Sequence, residues 1–169
     1  MHHTQFNINT EYMKKLCIIA LMLFAGSTMK AQEVYDYLLD KSEQVINNPE
    51  SKEFDLKVAQ FKSTAMRYFR KNIILQEGSI SSQWLDEQAL ALNEFVTNYL
   101  MELSANSHTE SKTRKAIVMK YCKASQNHAM FKDADKQESE AFVIDKGGYT
   151  PFCLNTNWVE ALAETREQK

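Results

Sequence analysis

Breakers of regular structure are scarce beyond residue 31, where only three glycines and two prolines occur in 138 residues. A backbone with so few points of forced turning is partitioned into a few long segments, and here those segments carry a helical period. Val34 to Asn47 places Tyr35, Leu38, Leu39, Val45 and Ile46 at helix-like offsets. Asn48-Pro49 then reads as an N-cap followed by proline at the first helical position. In the helix it would open, Phe54, Val58, Phe61, Ala65, Tyr68 and Phe69 recur every three to four residues, with Lys57, Lys62, Arg67 and Arg70 between them and Gly78 as terminator.

Two further helices follow by the same reasoning. Ser82 is the expected N-cap of the first, whose stripe runs through Leu85, Ala89, Leu92, Val96, Tyr99, Leu100 and Leu103. Ser107 and Glu110 have capping-box spacing, and the second carries Ile117, Val118, Tyr121, Cys122 and Ser125 inward. The pattern then fades. Ala141 to Ile144 and Tyr149 to Leu154 read as short extended segments around the turn Asp145-Lys146-Gly147-Gly148, with Pro151 restricting the second to an edge or irregular loop. Asn157 and Glu160 reopen a helix by capping-box logic, with Trp158, Ala161 and Leu162 facing inward. The expected fold is all-α: an antiparallel bundle of about four helices, an irregular loop or small hairpin, and a short C-terminal helix.

The N-terminal region follows a different rule. Lys14 and Lys15 precede an uninterrupted apolar run, Leu16 to Gly26, and then Ser27-Thr28-Met29-Lys30-Ala31. Eleven apolar residues match the core of a secretory signal peptide and fall short of the ~20 needed to cross a bilayer. Cleavage after Ala31 would leave Gln32 as the new N-terminus. Met13, directly before the lysine pair, reads as the start, with residues 1–12 an upstream extension. The expected organisation is therefore an extension plus signal peptide over 1–31 and a single helical domain over 32–169, periplasmic or secreted. A retained membrane anchor and a buried cytosolic helix are the competing readings. Cys17 lies before the apolar run, whereas a lipid-accepting cysteine follows it.

Without residues 1–31 the formal charge falls from −2 to about −4. A mildly acidic chain lacks the basic face of a dedicated nucleic-acid binder. Cys122 and Cys153 are then the two remaining cysteines, and an even pair in an oxidising compartment is a candidate disulfide. It would tie the irregular C-terminal segment to the fourth helix. Two separately buried thiols and one reactive thiol are the alternatives.

Motifs that carry chemistry are missing: no His-Glu-x-x-His, phosphate-binding glycine loop, Gly-x-Ser-x-Gly or Cys-x-x-Cys occurs. No catalytic residue, metal site or cofactor is therefore expected. Asp133, Asp135, Gln137 and Ser139 begin like a calcium loop, but Glu138 replaces the required glycine and Ile144 the bidentate glutamate. His108 and His128 read as ordinary surface residues. Arg67, Arg70 and Lys71 would suit anionic lipid or glycan, and equally the negative end of the helix dipole, which is the reading preferred here.

The stretch Lys146 to Trp158 stands out, since three aromatics, Cys153 and a Gly-Gly pair fall in one non-helical segment. Loops on a rigid scaffold commonly carry recognition, so Lys146, Tyr149 and Phe152 are the candidate binding residues. The alternative is that Phe152 and Trp158 cover one open end of the bundle. A leader ending in Ala-Gln, a short helix and Asn-Pro-Glu-Ser-Lys-Glu-Phe-Asp-Leu-Lys-Val-Ala-Gln-Phe-Lys resembles small exported helical proteins of unassigned function from Bacteroidota-type bacteria. The resemblance covers the leader and first two helices, and it implies an envelope or secreted location without an activity. The expectation is a non-enzymatic exported protein that binds another envelope or secreted protein through its C-terminal loop. A thiol-dependent enzyme and a purely structural envelope protein are the alternatives.

Overall fold

The computed structural model describes residues 33–131, 140–141 and 152–167. Among them the chain forms α1 (Glu33–Asn47), α2 (Glu53–Glu77), α3 (Ser82–Ala105), α4 (Ser111–Asn127), β1 (Glu140–Ala141), β2 (Phe152–Cys153) and α5 (Trp158–Glu167). Four main helices, a two-residue antiparallel pair and a short terminal helix make the predicted all-α architecture. The signal peptide and cleavage site expected over residues 1–31 lie outside the described residues.

Helix α3 is the centre. It packs on α1, α2, α4 and α5, which is why its buried residues (Leu85, Gln88, Ala89, Ala91, Leu92, Phe95, Val96, Tyr99 and Leu103) cover more than one stripe. A helix with neighbours on several sides buries a broad arc, and a single 3.6-residue stripe describes only part of it. Helix α2 behaves likewise, burying Ala59 and Met66 beside Phe61, Ala65 and Phe69.

Three predicted helix starts shift for local reasons. Asn48 caps a turn, not α2: its Oδ1 accepts the Glu50 N–H at 3.0 Å and its carbonyl accepts the Ser51 N–H at 3.0 Å, so Lys52 becomes the N-cap. Ser81 replaces Ser82 as the cap of α3, accepting from Trp84 N–H. Ser107 sits in a turn bonded back to Ser104, and α4 begins three residues later than its capping box implied, with Glu110 as N-cap. Asn157 does cap α5, its Oδ1 accepting from Glu160 N–H and its carbonyl from Ala161 N–H. Gly78 closes α2 at φ +71°, the left-handed conformation glycine adopts without strain.

Arg67, Arg70 and Lys71 require a different account from the dipole. Helix α2 continues to Glu77, so these residues stand more than a turn before its end. Arg67 instead pairs with Glu43, and Arg70 approaches Asp36 at 3.9 Å while lying over the Tyr35 ring at 5.4 Å, all on α1. The start of α1 is tied down in turn: Asp86 of α3 accepts the Tyr35 N–H at 2.8 Å, satisfying a helix-end donor with a negative charge.

Candidate functional site

Phe152 is the first predicted binding residue to be located, and it is inside. Its side chain is 1% exposed, and its ring meets Phe61 at 5.6 Å, Phe95 at 5.5 Å and Tyr99 at 5.2 Å. Trp158, also fully buried, meets Phe61 and Phe95 in the same cluster, and Tyr121 meets Phe95 and Tyr99. The assignment of Phe152 to an exposed recognition surface is therefore corrected. An aromatic ring gains more from a site walled by other rings than from water, and the bundle offers such a site between α2 and α3. Lys146 and Tyr149 lie outside the described residues, as does the calcium-like stretch around Asp133.

Side-chain hydrogen bonds fasten this segment at its base. Ser125 Oγ accepts the Cys153 N–H at 2.7 Å, and Thr156 Oγ1 donates to the Ser125 carbonyl at 2.9 Å. Asn155 clips Phe131 twice, its Oδ1 accepting the Phe131 N–H and its Nδ2 donating to the Phe131 carbonyl, both at 2.7 Å. Gln88 receives the entry to α5: its Nε2 donates to Asn157 Oδ1 at 2.9 Å, and its Oε1 accepts the Trp158 N–H at 2.8 Å. Every one of these polar groups is thereby paired in a setting where an unpaired one costs about 1–3 kcal/mol.

Cys122 and Cys153 are both free thiols, each partly exposed. Ser125 and Thr156 tie the irregular segment to α4. Burial pushes the Cys122 thiol above its ordinary range, which lowers its thiolate fraction and its nucleophilicity at neutral pH.

An open groove of about 620 Å³ runs between α3, α4 and α5, lined by Glu94, Asn98, Glu102, Lys120, Tyr121 and Arg166 among others. Glu102 organises one side, accepting from Lys120 Nζ at 2.7 Å and from the Tyr121 hydroxyl at 2.8 Å. Burial and the Glu102 carboxylate both raise the Tyr121 pKa, so this hydroxyl is a fixed donor. Arg166 pairs with Glu94 at the rim. The charges are mutually satisfied, so the groove offers a patterned polar surface, not an exposed base or nucleophile.

Two more sites were not visible as chemistry in the sequence. His128, past the end of α4, puts Nε2 2.8 Å from Glu164 and Nδ1 3.2 Å from Glu160, which stand one turn apart on α5. Lys62 projects its amine between α2 and α3, where Nζ donates to Asn93 Oδ1 at 2.7 Å beside a cavity of about 10 Å³ lined by Leu38, Ser42, Met66, Ala89 and Leu92. That space holds about one water molecule. Desolvation lowers the Lys62 pKa to about 8. Spacing did contain the signal, since Lys62 shares a helical face with Ala59, Met66 and Phe69, all buried. No group of three or more histidine, cysteine, aspartate or glutamate side chains among the described residues is arranged to hold a metal ion.

Compared with family models, curated proteins and solved structures, the chain matches none.

Proposed function

We propose that this chain is an exported, non-enzymatic helical protein that presents its 142–151 segment to another envelope or secreted protein. The carrying observation is the construction of that segment's base. Residues 140–141 pair with 152–153 in the register Glu140 to Cys153 and Ala141 to Phe152. Phe152 is then sunk in the aromatic core, and Ser125, Thr156, Asn155 and Gln88 fasten the chain on either side. The chain on either side of residues 142–151 is thus held to a rigid scaffold, the usual setting for recognition. Lys146 and Tyr149 belong to that segment, and Phe152 is its anchor. The raised pKa of Cys122 weighs against the thiol-enzyme alternative.

The test pairs location with binding. Intact mass of the protein recovered from its host's extracytoplasmic fraction is expected to begin at Gln32. Crosslinking in the intact envelope, followed by recovery of the chain, is expected to yield a partner that Lys146→Ala with Tyr149→Ala removes while leaving thermal unfolding unchanged. Retention of every partner by that folded double variant would sink the loop assignment, and an uncleaved cytoplasmic chain would sink the export reading.

A further inference from the structure

His128 closes α4, where the last carbonyls of a helix favour a positive charge. Its ring leans across to α5. Nε2 lies 2.8 Å from a Glu164 oxygen, and Nδ1 lies 3.2 Å from a Glu160 oxygen. An ionised carboxylate only accepts, whereas a neutral imidazole has one donor and one lone pair. Whichever nitrogen carries the hydrogen, a neutral ring therefore turns a lone pair towards one of the two carboxylates. The imidazolium, with two donors, satisfies both.

The carboxylates have their own need for a cation. Glu160 and Glu164 stand four residues apart on one face of α5, a like-charge spacing that destabilises a helix. The Glu164 side chain is 19% exposed against 60% for Glu160, so its contact with the ring is the less screened by water. Asn127 adds a neutral amide, its Nδ2 3.4 Å from each Glu164 oxygen. The other charged groups at this junction are Lys123, exposed and five residues back along α4, and Glu167, exposed at the end of α5, while Arg166 is turned to Glu94 of α3. The adjoining stretches 129–131 and 154–157 carry no charged side chain.

Backbone bonds join the two helices around the ring. The His128 carbonyl accepts the Asn157 N–H at 2.7 Å, Ala129 pairs with Thr156, and the Asn155 carbonyl accepts the Met130 N–H at 2.8 Å. A change of charge at His128 is thus felt at the entry to α5.

We infer that His128 is a pH-sensitive latch: its imidazolium, bridging Glu160 and Glu164, holds α5 against the end of α4, and loss of the proton frees one carboxylate and loosens α5. Histidine is the side chain that changes charge between about pH 5 and 8, so the latch is closed in mildly acidic surroundings and opens as pH rises. Trp158, Ala161, Leu162 and Thr165 stay buried in either state, and the change is a local opening of α5 within a folded bundle. Its effect on binding rests on the function proposed above, since α5 directly follows the residues that fasten the base of the 142–151 segment.

Amide hydrogen exchange followed by NMR, corrected for the intrinsic rate at each pH, reads the opening with no partner present. In the wild type the opening equilibrium of α5, referenced to α3, is expected to rise roughly tenfold or more from about pH 5.5 to about pH 8.5, the value of one charge-assisted hydrogen bond. His128→Gln should abolish this response, and His108→Gln should keep it. Glu160→Gln changes a largely exposed side chain and decides the matter if His128→Gln fails to fold. Its amide can donate to the lone pair of the neutral ring, so the response should shrink by half or more. No response in the wild type, an equal response in His128→Gln, or a full response in Glu160→Gln overturns the latch. Partner recovery with the Lys146 and Tyr149 variants is a separate measurement, so a failed latch leaves the loop assignment standing.

Discussion

Replacing Lys62 with methionine should stabilise this protein, although it removes a hydrogen bond. The amine loses its proton near pH 8 in the folded state and near 10.5 in the unfolded chain, so the folded state binds fewer protons between those values. Stability must then rise with pH across that window, and the full cost of carrying the charge is present below about pH 8. The two values correspond to about 3 kcal/mol. Partial exposure of the side chain lets water recover part of this, and losing the bond to Asn93 removes about 1 kcal/mol more. Lys62→Met, similar in length and a good helix former, should therefore gain about 1–2 kcal/mol at pH 7. Urea unfolding followed by circular dichroism would show a midpoint increase of roughly 0.5–1 M for a chain of this size. The gain should shrink towards zero, or reverse, by pH 10.5. Tyrosine ionisation also affects stability there, but equally in both proteins, so the difference between them isolates Lys62. A variant less stable than the wild type at pH 7, or an advantage that does not change with pH, would refute a desolvated amine.

Phe152→Ala should destabilise the fold by about 3–5 kcal/mol, because it empties a site bounded by Phe61, Phe95 and Tyr99; a loss under 1 kcal/mol in urea unfolding would show that the ring is not a core residue. Glu102→Gln removes a charge accepting from Lys120 and Tyr121, so stability should fall by about 1 kcal/mol and one tyrosine should ionise at lower pH than before in absorbance titration. An unchanged tyrosine titration would separate Glu102 from Tyr121.

The helices were legible because their apolar period is long and their breakers are few. Leu85, Leu92, Val96 and Tyr99 announced α3 directly, but the same stripe concealed how many neighbours the helix has, since Gln88 and Ala91 are buried too. Caps were less legible. Asn48 and Ser107 have the chemistry of N-caps, yet each falls in a turn, Asn48 bonding it through its side chain and Ser107 through its backbone N–H, and local hydrogen bonding cannot choose between turn and cap without the packing that follows. The site was hardest to read. A phenylalanine in a glycine- and proline-containing stretch has the composition of a recognition loop, and whether its ring points outward depends on a hole between α2 and α3 that no local pattern encodes. Lys62 was obscured by the habit of assigning charge to the solvated face, although its spacing from Ala59, Met66 and Phe69 placed it inward.

Gln88 reaches across 69 residues to Asn157 and 70 to Trp158, and the rings of Phe152 and Trp158 complete a core whose other walls are laid down much earlier in the chain. Such distant contacts reward ordering late, after the loop-closure entropy has been met. A chain emerging N-terminus first, from a ribosome or through a membrane pore, thus holds α1 to α4 with their central aromatic seat vacant until Phe152 and Trp158 arrive. That segment acts as the keystone, setting the moment at which a loose helical assembly becomes a closed one.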